Sequence, residues 1–187
     1  MASSSPVVLS GMLNLSRTNR KYVVLAQPRT PGDVEAVYNH VFGAHGGKLH
    51  ELTTVDSSVA STLGNLTLAA VENTPLLIML TSRFGDSSPV FIPLTSIDAL
   101  KDEVELQQAC TFAIELTGNK GSIVLRADSS TLYNEWFNHM VFFLEQAWEL
   151  QGQSDDLYLA SKNGRRLSRV ISWRPPPAKP APASAAV

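Results

Sequence analysis

Near the end of this 187-residue chain, Arg165-Arg166-Leu167-Ser168 sets two guanidinium groups before a hydroxyl, a pattern that basophilic kinases accept. Esterification of Ser168 would put nearly two negative charges into a positive segment. Elsewhere the chemically capable groups stand apart. His40, His45, His50 and His139 show no metal-ligand spacing: His45 and His50 flank a glycine pair, and His139 falls inside a helical stretch. Cys110 is the sole cysteine, so it has no disulfide partner and no second thiol for a metal; a small buried strand residue is its expected role. No Gly-x-Ser-x-Gly elbow, phosphate loop or dinucleotide fingerprint occurs. Asp102, Glu103 and Glu105 form an acidic cluster that reads as a solvated loop where a basic tail or partner can dock. The expectation is a non-catalytic protein with no cofactor and no metal; an enzyme of unspecified type is the remote alternative.

The elements that carry these residues follow from periodicity. Cys110–Leu116 and Ser122–Ala127 alternate apolar and polar positions around a Gly-containing turn, which predicts an antiparallel hairpin. A long helix follows through Leu150, with Asp128, Ser129 or Ser130 able to cap its start. Two apolar rows run along it, Leu132, Trp136, Met140, Phe143 and Ala147, then Tyr133, Phe137, Val141, Leu144 and Trp148. Trp136, Met140 and Phe143 read as core. Phe142 and Trp148 lie towards the far side and the distal end, so protein contact is expected of them.

At the other end, Val7–Leu15 reads as a strand with Val7, Leu9, Leu13 and Leu15 on one face and Gly11 in register. The turn Arg17-Thr18-Asn19 leads into a second strand, Tyr22–Ala26. Pro28, Pro31 and Gly32 break the pattern, Asp33 can cap a short helix with Val34, Val37, Tyr38 and Val41 on one face, and Gly43, Gly46 and Gly47 end it. Residues 28–47 therefore read as a helical insertion. The stretches KLHELTTV, NLTLAAV, LLIMLTS and VFIPLTSI read as further strands, and 98–108 as a charged connection.

The net charge of −2 hides an uneven distribution. Residues 1–160 carry nine lysines and arginines against seventeen acids, whereas 161–187 carry six basic residues and no acid. An acidic body lacks the basic face that phosphate neutralisation needs, which argues against a nucleic-acid partner. In the tail, polarity and proline content predict a flexible segment over 152–187, as for the polar start at 1–5. Arg174-Pro175-Pro176-Pro177-Ala178-Lys179-Pro180 fits a polyproline ligand, and Arg165, Arg166 and Trp173 belong to a basic, aromatic stretch suited to an acidic protein surface or an anionic membrane. No uninterrupted apolar run is long enough to span a bilayer, and MASSSPVVLSG lacks a basic n-region, so a cytoplasmic setting is expected.

Two separated segments resemble the pleckstrin homology family. Leu9-Ser10-Gly11-Met12-Leu13 followed by Arg20-Lys21-Tyr22-Val23-Val24-Leu25 is similar to its first two strands, and Thr111–Trp136 to its last two strands and its tryptophan-bearing helix. Phe91–Ile97 is similar to the fifth strand, so the resemblance spans 6–151. It implies a bent antiparallel sheet of about seven strands closed by the C-terminal helix, working as a binding or adaptor module. The family's lipid site would fall on Arg17, Arg20 and Lys21, with phosphoinositide headgroups as ligand. Leu9, Leu15 and Asn19 stand where further basic residues belong, which weakens that site. A protein partner, on a cytoskeletal or membrane-associated scaffold, is therefore the leading expectation.

Overall fold

The computed structural model describes residues 5–16, 18–43, 49–51, 57–80, 89–118 and 121–150, and the backbone of 170–172. The first hairpin is β1 (Val7–Asn14) and β2 (Arg20–Ala26), joined in register from Asn14 opposite Arg20 to Val7 opposite Ala26. A register shift between Val7 and Leu9 turns Val8 and Leu9 both towards the inner core, while Val7 packs on the outer side. Two helices follow, α1 (Pro31–Phe42) and α2 (Ser57–Glu72), before the chain returns to the sheet as β3 (Leu76–Leu80) and β4 (Val90–Pro93). Then come β5 (Ile97–Lys101), the short helix α3 (Val104–Gln108), β6 (Thr111–Leu116), β7 (Ser122–Arg126) and α4 (Ser130–Leu150).

These seven strands make the expected bent antiparallel sheet with its C-terminal helix. The order is β4-β3-β2-β1-β7-β6-β5, and one residue pair, Asn14 opposite Arg126, joins β1 to β7. An eighth strand, β8 (Val170–Ser172), is added antiparallel to β5 at the sheet's edge, inside the stretch expected to be flexible.

One core fills the concave side. Leu13, Val23, Leu25, Leu77, Leu100, Phe112, Ile114 and Leu125 meet Trp136, Phe137, Met140 and Leu144 of α4 there. Gly11 lies under the Trp136 indole, and a Cβ placed there would stand 3.7 Å from its Nε1. A second core lies on the opposite face. Tyr22, Val24, Ala26, Leu76, Ile78 and Leu80 pack against Val34, Val37, Tyr38 and Val41 of α1 and Leu66 and Ala69 of α2. At about 1.5–3 kcal/mol for each large apolar side chain fully buried, this outer layer is a principal stabiliser of the fold.

The helical stretch after β2 is therefore longer than the expected 28–47. The expected strand NLTLAAV lies within α2, because Thr62, Leu66 and Ala69 recur at helical spacing and bury one face. Its Thr and Val suit a strand, but burial against the sheet overrides that local preference. Of KLHELTTV, Leu49–Glu51 form a single 3₁₀ turn rather than a strand. At α1 the cap is Thr30, whose hydroxyl accepts from the Asp33 N–H at 3.1 Å while the Asp33 carboxylate accepts from the Thr30 N–H at 3.0 Å. Gly43 ends α1 as expected: a Cβ there would lie 2.4 Å from the Asn39 carbonyl oxygen.

The charged connection over 98–108 divides into β5 and α3, since Ala99 and Leu100 are buried strand positions. Cys110 sits just before β6, half-buried, with φ of 52°. This left-handed position turns the chain from α3 into β6, so the residue is a turn and not a strand position.

Candidate functional site

The first hairpin brings cations to the surface and then neutralises one of them. Arg20 donates to Asp128 Oδ2 at 2.5 Å, and Asn14 Nδ2 donates to Asp128 Oδ1 at 2.8 Å and to the Arg126 carbonyl at 3.4 Å. Asp128 is thus occupied outside α4. The helix is capped instead by Ser129, whose hydroxyl accepts from the Leu132 N–H at 3.2 Å. Lys21 is half-buried beside Arg20 in β2, and Arg17 lies outside the described residues. A phosphate brought to Arg20 would have to compete with a carboxylate already there.

On α4 both apolar rows belong to the core. The row expected to include a docking surface, Tyr133, Phe137, Val141, Leu144 and Trp148, is buried throughout. Trp148 is 1 % exposed and its Nε1 donates to the Ile97 carbonyl at 3.1 Å, so it anchors the start of β5 and is not a partner contact. The bent sheet wraps far enough around α4 to cover a face wider than one stripe. Phe142 lies off both rows and is 53 % exposed, the one aromatic among the exposed large apolar side chains of the described residues. Its ring stands edge-on to Phe143 with centroids 5.1 Å apart.

Two adjoining open hollows flank Phe142. One, of about 350 Å³, is lined by Val8, Asn138, His139, Phe142 and Phe143. The other, of about 410 Å³, adds Val7, Gln27, Arg29 and Gln146 around the same Val8, Phe142 and Phe143. The register shift in β1 is what brings Val8 to this side. From sequence alone Val8 is indistinguishable from its neighbours, since a shift of one residue exchanges the faces of a strand.

The β5 edge is the second polar focus. The Ile97 carbonyl takes the Trp148 indole, Lys101 pairs with Glu115 at 2.5 Å, and Asp102 accepts from the Tyr133 hydroxyl. Asp102 is 3 % exposed, so it is not part of a solvated loop as the acidic cluster suggested; Glu103 and Glu105 are exposed. Burial, and then the Asp102 carboxylate, push the Tyr133 phenol well above its ordinary range. Glu115 likewise holds the Lys101 ammonium above its usual value. Nothing local marks Asp102 for burial, since Lys101 precedes it and Glu103 follows it.

Three histidines serve local roles: His40 Nε2 lies 3.1 Å from the Tyr22 hydroxyl, His50 Nδ1 3.2 Å from Glu35, and His139 Nδ1 2.8 Å from the Glu135 carbonyl, while His45 lies outside the described residues. Among the described residues no three His, Cys, Asp or Glu side chains converge into a metal-sized group, and no helix is long and apolar enough to cross a membrane. Arg165, Arg166, Ser168 and Trp173 lie outside the described residues. No family model matches the chain, and neither does any curated protein or solved structure.

Proposed function

We propose that this chain is a non-catalytic, pleckstrin-like adaptor module that docks a protein partner where α4 crosses the start of β1, with the cytoplasm as its setting. The observation that carries this reading is Phe142: α4 buries its other aromatic side chains, yet this one stands in solvent between two hollows. Leaving an aromatic ring in water forgoes burial worth about 1.5–3 kcal/mol, which a partner recovers. The hollows suit one apolar anchor residue, and Arg29 at the rim of the larger one favours an acidic neighbour on that partner. Phosphoinositide binding gains less support, because Arg20 is held by Asp128 and the body of the chain is acidic.

A photo-crosslinking residue installed at position 142, with position 124 as an exposed apolar control, tests the proposal in cells. A defined adduct at 142, absent at 124 and weakened at least about tenfold when Val8 is changed to Asp, is the expected result. No adduct at 142, together with flotation of the protein on phosphoinositide vesicles that Arg20→Ala abolishes, would transfer the function to the lipid reading.

A further inference from the structure

The sheet's β5 edge holds a segment of the chain's own tail, and that pairing has the features of a displaceable ligand. Ala99, Leu100 and Lys101 lie opposite Ser172, Ile171 and Val170, so contact is limited to three residue pairs. Ordering a residue costs about 1–2 kcal/mol of backbone entropy, and a ladder this short offsets little of that on its own. Covalent tethering compensates, since a connected segment is held at about millimolar local concentration. Charge adds direction. The sequence just before Val170 carries Arg165, Arg166 and Arg169, and the sequence just after Lys101 carries the exposed Glu103 and Glu105. The pairing places Val170, the first residue after the basic stretch, opposite Lys101, the last before the acidic one. The edge itself is prepared to accept a strand: Trp148, Glu115 and Tyr133 fix its Ile97, Lys101 and Asp102 from the α4 and β6 sides.

We infer that the β5 edge is an acceptor for an extended basic peptide with β-branched residues, and that residues 170–172 occupy it in cis as a built-in competitor. A partner segment of the same chemistry binds by exchanging with β8, extending the sheet through main-chain hydrogen bonds. The site is separate from the Phe142 face, so either can fail alone.

The test uses the full chain and a labelled peptide of its own residues 165–176. Replacing Val170 and Ile171 together by Pro removes two adjacent N–H groups, of which alternation aims one at β5. If β8 holds the edge nine-tenths of the time, the peptide binds the Val170→Pro, Ile171→Pro protein about tenfold more tightly than the unaltered protein. Hydrogen exchange should quicken in that variant at those of Ala99, Leu100 and Lys101 whose N–H points away from β6, while amides of β2 and β3 stay protected, which shows that it remains folded. Equal peptide affinity for the two proteins overturns the inference, as does an edge that loses protection and still binds no peptide. Protection that rises with protein concentration also overturns it, by assigning the edge to the tail of a second copy. Phe142→Ala should leave peptide binding unchanged, which separates this result from failure of the proposed docking face.

Discussion

The two halves of the sheet are stabilised in different ways. Around β2 and β3 both faces are covered, α4 on the inside and α1 and α2 on the outside, and Tyr22–Ala26 and Leu76–Leu80 are accordingly buried without interruption. Around β7 only the inner face is covered: Leu125 is buried while Ser122, Val124 and Arg126 are exposed. The half without a second layer is held by polar contacts that converge on β5, from Trp148, Glu115 and Tyr133. The helical layer closes one broad sheet face to ligands. The solvent side of α4 and the sheet edges, where the exposed ring and the added strand are found, stay open, as does the outer face of β7.

The largest expected effect breaks this contrast directly. Ile78 points into the outer helical layer, whereas Val124 points outward from the half that has none. Ile78→Asp buries a carboxylate among apolar side chains and should cost more than about 4 kcal/mol, enough to unfold most of the protein. Val124→Asp should cost no more than about 1 kcal/mol, the price of a poor strand residue. Urea unfolding followed by circular dichroism compares them. Similar midpoints for the two variants would show that the outer layer contributes little.

A middle-sized effect probes the polar half. Tyr133→Phe removes the hydroxyl that Asp102 accepts from and should cost about 1–3 kcal/mol at neutral pH. The phenol also predicts a pH dependence. Its folded-state pKa is raised above the ordinary 10.0, so the unfolded chain releases this proton first. Stability from Tyr133 is therefore fully present below pH 10 and falls above it, by up to about 1.4 kcal/mol per pH unit. The Phe variant should lose less stability than the unaltered protein between pH 10 and 11. A parallel decline in the two proteins would mean that Tyr133 ionises freely in the fold.

Half of this architecture is legible in the sequence, and the division follows the same contrast. Alternation in Ser122–Arg126 reports a strand with one wet face, and the long helix after it is unambiguous; Thr111–Leu116 alternates too, although its first four residues are all buried. Where a strand is buried on both sides alternation disappears, as in Leu76–Leu80, and where a helix buries Thr62, Leu66 and Ala69 a strand-prone composition conceals its period. Trp148 is misread for a related reason. Its exposure depends on how far the sheet curls around α4, and no local pattern encodes curvature. Phe142 is legible because it breaks both apolar rows of its own helix, a property of the sequence alone.

The smallest effect concerns the seam where the halves meet. A single residue pair, Asn14 opposite Arg126, joins β1 to β7, and Asp128 spans it by accepting from buried Asn14 and from half-exposed Arg20. Exposed ion pairs contribute about 0–1 kcal/mol, so Arg20→Ala should lower stability by less than about 1 kcal/mol, and less still in high salt. Asn14→Ala, which removes the amide from a site with little water access, should cost about 1–2 kcal/mol. Thermal unfolding at two ionic strengths ranks them. If Arg20→Ala proves the costlier and the cost vanishes in salt, the seam is closed by charge; Asp128 would then be the residue that withholds Arg20 from phosphate, and Asp128→Asn should raise binding to anionic vesicles. If Asn14→Ala is costlier, the seam is closed by its buried amide, and Arg20 adds little to either stability or lipid capture.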